Sequence, residues 1–224
     1  MPASGDDRAL RDADERAIAV RFLAPGDWER AASGAGWETA IIGIGEKDPD
    51  GSRPDYTGWT AAVRRETRAA GLRRSVVEVA GQRQARAGET GYALAANAAR
   101  ARRIGERAAG EIGFFYYSGE GENTRAFRSP FGRWPKWSEM WVYSLIGEGG
   151  PAQWQNLASP YVSLRVAPLG GDPLLARLAL QGSVLVPYAP EPTWEDRGLL
   201  AKLELRARVR PGVAAHLLWE WHTS

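Results

Sequence analysis

This sequence predicts an all-β fold: an antiparallel up-and-down sheet of the transmembrane β-barrel type, with roughly ten to twelve strands. Three observations carry that expectation. The first is alternation. Leu199, Ala201, Leu203, Leu205, Ala207 and Val209 alternate with Lys202, Glu204, Arg206 and Arg208, and only Leu200 falls out of step. After Pro211 and Gly212 the period resumes, with Val213, Ala215, Leu217, Trp219 and Trp221 on one face and His216, Glu220 and His222 on the other. Period two with one apolar face marks a strand, and two such runs about a Pro-Gly turn predict a hairpin.

The second observation is length. Strands on the order of ten residues exceed the roughly five or six usual in soluble sheets and suit a tilted strand crossing a bilayer. A soluble sandwich or lipocalin-like barrel would alternate too; strand length and the terminal tryptophans, suited to a water–lipid boundary, tip the reading towards the membrane. The third is composition. Ten Trp, seven Tyr and five Phe, with 26 Gly and 14 Pro for turns, suit many strands and tight connections.

At 224 residues one domain is expected: a flexible arm at 1–14, crowded with Asp and Arg, then a single barrel domain over 15–224. Mean hydropathy is −0.39, and no apolar run reaches the ~18 residues of a membrane helix. Cysteine is absent, which excludes disulfides and thiolate metal sites. Net charge is only +2, yet a pI of 9.0 and an excess of Arg over Lys suit an anionic partner. The N-terminus lacks the basic-then-apolar order of a secretory signal, so an outer-membrane location would make this a mature or truncated chain.

In order along the chain, 17–23 is the first strand, with Ile18, Val20 and Phe22 on one face, and Pro25-Gly26-Asp27 signals a turn. Residues 39–45 form the next strand. In 56–67, Trp59, Ala61 and Val63 oppose Thr60, Arg64 and Glu66; in 75–86, Val77 and Val79 face outward opposite Arg74, Glu78 and Gln82. The Ala-rich stretch 91–106 has good helix propensity, but Tyr92, Leu94, Ala96 and Ala98 keep period two and its neighbours are strands. In 111–118, Ile112, Phe114 and Tyr116 oppose Glu111, Phe115 and Tyr117. The longest connection is 119–137; strands at 138–146, 159–166 and 175–185 precede the final hairpin.

The order Gly113-Phe114-Phe115-Tyr116-Tyr117-Ser118-Gly119-Glu120, then Asn123-Thr124 with Phe127, Pro130, Phe131 and Gly132, then Trp154-Gln155-Asn156-Leu157 entering a strand, resembles the alginate-export family of outer-membrane β-barrels. The resemblance spans roughly 37–224. Glu120 stands where the family has Asp, and family barrels are longer, the missing length falling N-terminally. The resemblance implies a passive porin-like conduit whose positively charged lumen helps an anionic polysaccharide or small anion through, in contact with outer-membrane lipid, with no enzyme activity, cofactor or nucleic acid.

The alternation by itself sends Arg74, Arg165, Arg177, Lys202, Arg206 and Arg208 inward if the apolar faces meet lipid. A ladder of guanidinium groups would attract carboxylates. The alternative is pairing with Glu78, Glu111, Glu204 and Glu220, which would plug the barrel and suit a structural subunit that binds protein partners. Other chemistry finds little footing. Gly43-Ile44-Gly45 and Gly119-Glu120-Gly121 lack the helix that a phosphate cradle needs. His216 and His222 have only Glu220 as an obvious third metal ligand. Glu191, Glu195 and Asp196 read as a solvated Pro-rich connection, and His222-Thr223-Ser224 as a chance nucleophile spacing.

Overall fold

The computed structural model describes residues 14–23, 34–47, 55–69, 73–122, 124–127, 156–169, 178–186, 188–190, 194–210 and 213–223. They form one antiparallel sheet, with no helix among them. The strands are β1 (Asp14–Leu23), β2 (Gly34–Lys47), β3 (Tyr56–Ala69), β4 (Arg73–Arg86), β5 (Glu89–Arg103), β6 (Ala108–Tyr117), β7 (Leu157–Val166), β8 (Leu178–Leu185), β9 (Tyr188–Ala189), β10 (Glu195–Asp196), β11 (Leu199–Arg210) and β12 (Val213–Thr223). Each strand from β1 to β8 pairs with the next, β8 pairs with β11 and β11 with β12. The two-residue β9 and β10 cap the rim beside β7, in the connection read as Pro-rich loop. The sheet is not closed: β1 and β12 are its two edges. The arm at 1–13, the strand expected at 138–146 and Arg177 lie outside the described residues.

Local chemistry explains the strands. β5 extends because both of its sides are paired, to β4 and to β6, which outweighs the helix propensity of its alanines. The turn between β4 and β5 is two residues, Ala87 at φ 53° and Gly88 at φ 81°. Positive φ at both is the geometry that matches strand twist in a tight hairpin, at some cost to the alanine.

The two faces of the sheet differ: large hydrophobics crowd the exposed face, while the inner face mixes buried polar groups with a hydrophobic cluster of Phe115, Leu157, Tyr161, Leu185 and Leu200. Of the 25 exposed large hydrophobics among the described residues, Ile104, Leu169 and Trp194 lie in connections, and the other 22 all sit on one face of the strands. Trp59, Leu94, Ile112, Leu203 and Trp219 belong to this outward face. The buried polar residues Thr60, Glu66, Gln82, Gln84, Ser159 and Glu204 belong to the other. An apolar patch spanning ten strands far exceeds the few hundred Å² usual on a soluble monomer.

The apolar stripe crosses the sheet diagonally. From Val20, the middle of β1's outward face, the cross-strand row runs through Ile41, Ala61 and Gly81 to Leu94 in β5. From Trp219, the middle of β12's, it runs through Leu203, Gly182, Leu164 and Gly110 to Arg102 in the same strand. Leu94 and Arg102 are eight residues apart, so the stripe climbs eight residues over nine strand-to-strand steps. With ~3.3 Å rise per residue and ~4.8 Å between strands, that is a tilt of about 30°. On β4 the outward positions between Arg73 and Arg83 are Ser75, Val77, Val79 and Gly81. Corrected for tilt, this span is roughly 28 Å, beside the ~25 Å apolar band of outer-membrane barrels.

Candidate functional site: the charged inner face

Alternation places Arg64, Glu66 and Arg68 on the inner face of β3, and the register sets Arg68 opposite Arg74 of β4. The three guanidinium groups converge on one buried carboxylate. Arg64 Nη2 donates to Glu66 Oε2 at 2.8 Å, while Arg68 Nε and Arg74 Nε donate to Oε1 at 2.7 and 2.9 Å. Glu66 is 2% exposed, whereas the three arginine side chains stay between 32% and 45% exposed. Register also sets Glu38 of β2 and Glu78 of β4 on either side of Arg64, so the three guanidinium groups share one buried carboxylate in a neighbourhood that holds two further acids.

The β11–β12 wall is arranged differently. Lys202 Nζ lies 3.4 Å from Glu220 across the strand pair. Glu204 pairs with Arg206 two residues along and with His216 Nε2 at 3.1 Å. Between the two walls, Arg165 Nε donates to Gln181 Oε1 at 2.9 Å, and the Tyr161 hydroxyl donates to Glu111 at 2.9 Å. Tyr161 lies over Gly113, where any Cβ would collide with its ring.

Arg74, Arg165, Lys202 and Arg206 therefore all project from the inner face, as alternation predicts, and each has a polar partner. Arg208 is on β11 opposite Ala214, just before a register shift. The partner of Arg74 is Glu66, not one of the acids the sequence singles out, and Arg64 and Arg68 join it; an Arg-x-Glu-x-Arg run on one strand face is the signal that marks them. His216 and His222 do not converge: His222 Nε2 meets the Arg197 carbonyl at 2.8 Å, and no group of three metal-ligating side chains occurs among the described residues.

The segment after β6 turns inward. The Ser118 amide donates to the Leu94 carbonyl at 2.9 Å, Arg125 N to Tyr92 O at 2.7 Å, and Phe127 N to Ser118 O at 3.0 Å. The Ser118 hydroxyl accepts from Leu94 N at 3.0 Å and donates to Arg125 O at 2.7 Å. Phe127, 4% exposed, thereby packs on the inner face against Ala80, Ala93 and Ala95, with Tyr117 beside it. Gln84 Nε2 holds the Ala126 carbonyl at 2.8 Å. Small side chains at these inner positions are what admit the ring. At the rim, Arg125 bridges Glu89 at 2.8 Å and Glu120 at 2.5 Å. Burial pushes the Glu120 carboxyl up, but the Ala126 amide and the Arg125 guanidinium outweigh it and hold it below the usual carboxylate range. Asn156 N donates to Ser118 O at 3.1 Å and its side chain covers Gly119, so residues far apart in the motif order meet at one rim.

No family model, curated protein or solved structure matches this chain.

Proposed function

We propose that this chain forms the wall of an outer-membrane β-barrel of the alginate-export type, a non-enzymatic, porin-like passage for an anionic polysaccharide or small anions. The observation that carries the membrane reading is the outward apolar face, which runs across every long strand while the ion pairs lie on the other side, because a bilayer covers such a surface on every strand at once. The diagonal apolar stripe supports closure, since a barrel requires strands tilted against its axis. Closure joins β1 and β12 to each other or to further strands. Ten strands alone would be narrower than the 16 to 18 that leave an open aqueous channel, so a wide passage calls for additional strands.

Anion preference would come from the partly exposed Arg68 and Arg74 guanidinium groups, which would raise the local anion concentration within a screening length of about 8 to 10 Å. Planar-bilayer recordings should therefore show anion selectivity. Arg68→Glu with Arg74→Glu should swing the reversal potential towards cations, most strongly at low salt, and Arg165→Glu with Arg177→Glu should swing it the same way. Selectivity indifferent to the first pair sinks the conduit reading. A second reading is favoured by the balanced Lys202–Glu220 and Arg206–Glu204 pairs and by Phe127 inside: a plugged barrel that serves as a structural subunit for protein partners. It predicts a detergent-soluble, folded protein with no conductance.

A further inference from the structure

The outward face carries a trough beside one rim. In the row Ile18, Gly43, Trp59, Arg83, Tyr92, the Trp59 indole leans over β2. A Cβ on Gly43 would stand 2.9 Å from its ring carbons and 3.2 Å from Ile18 Cγ2. That tilt draws the ring away from β4, where Gly81 has no atom within 4 Å of the place a Cβ would take. Ala61 and Gly81 floor the resulting trough of about 520 Å³, Ile41, Trp59 and Leu94 wall it, and Arg83 stands at its end. This volume lies within the ~300–1,000 Å³ of ligand sites.

Arg83 is exposed on the outward face between two aromatic residues, Trp59 and Tyr92, and makes no ion pair with a described residue. The opposite rim differs: there Arg65 lies over the Trp37 ring, 5.2 Å from its centroid. A guanidinium flanked by Trp and Tyr at the end of an apolar trough has a fork of donors aimed where a lipid headgroup would lie.

We propose that the trough is a lipid site, which takes an acyl chain along Ala61 and Gly81 and the phosphate of an anionic phospholipid on Arg83. It rests on the membrane reading above. The test counts lipids retained by the detergent-purified protein in native mass spectrometry, with phosphatidylglycerol or phosphatidylcholine added. The wild type should retain phosphatidylglycerol about fivefold better than phosphatidylcholine, a difference of roughly 1 kcal/mol. Gly81→Leu, whose Cβ would stand more than 4 Å from any side chain beyond its two chain neighbours, fills the trough and should lower retention of both lipids by about fivefold. Arg83→Gln should bring phosphatidylglycerol down to the phosphatidylcholine level. Retention unchanged in both variants overturns the lipid site and leaves the membrane reading standing. A wild type that is folded and monodisperse in buffer without detergent overturns both.

Discussion

Glu66 and Glu204 are both buried on the inner face, each with an arginine two residues along its own strand, yet the number of cations each one holds differs. Glu66 is shared by Arg64, Arg68 and Arg74; Glu204 has one arginine and a histidine, with Lys202 and Glu220 balanced beside it. The difference lies in what register brings opposite each strand. β4 presents Arg74 against Arg68, whereas β12 presents Glu220 against Lys202. An inner surface built from one alternating pattern can thus gather three guanidinium groups on one carboxylate at one wall and pair its charges singly across strands at the other.

The largest effect should come from Glu66→Gln, which leaves three crowded guanidinium groups without their common anion. We expect a loss of about 3 to 5 kcal/mol, the usual cost of removing one partner from a buried ion pair, read from denaturant unfolding in detergent. Glu204→Gln should cost about 1 kcal/mol, because Arg206 and His216 are half-exposed and can turn to water. Equal losses would erase the distinction between the two walls.

Next in size is Leu203→Arg, on the outward face of β11 beside Glu204. A lipid-facing arginine near mid-bilayer costs roughly 2 to 4 kcal/mol, so the yield of detergent-folded protein should fall sharply while Glu204→Gln folds. Normal folding of Leu203→Arg in plain buffer would mean that the outward face never meets lipid. Ala87→Gly should stabilise by about 1 kcal/mol, since glycine removes the left-handed penalty at φ 53°. As it touches neither carboxylate, its reversal potential should match wild type, which separates stability from selectivity at the Glu66 cluster.

The smallest effect concerns the acid that the rim adds on that side. The Glu120 carboxyl is held below its ordinary range in the folded state, so its contribution is present above its unfolded pKa and is lost as pH falls through the folded value. Being largely exposed, the Glu120–Arg125 pair should contribute only a small part of the stability of this rim. Protease nicking of the 118–127 segment should therefore rise modestly below pH ~4 in wild type and be flat with pH in Glu120→Gln; a slope in that variant would assign the effect elsewhere.

Strand identity and facing were legible in the sequence because they follow from a local, two-residue period. Val77 and Val79 outward with Arg74 and Gln82 inward, or Leu203 outward with Glu204 inward, needs no knowledge of neighbours. β5 was legible only through its neighbours, since its alanines alone suit a helix. The ion-pair partners were not legible, because they depend on stagger between strands: Arg74 reaches Glu66, where the sequence suggested Glu78 among the acids, once the register sets Arg68 against Arg74. The fold-back that seats Phe127 on Ala80, Ala93 and Ala95 was likewise hidden, since those contacts join three elements whose spacing no single stretch encodes. The sequence by itself thus determined which residues line each face, through alternation. Tertiary structure alone decided which charges share a partner, where the trough at Gly81 opens and that the sheet's edges stand apart, because each depends on how far one strand slides against the next.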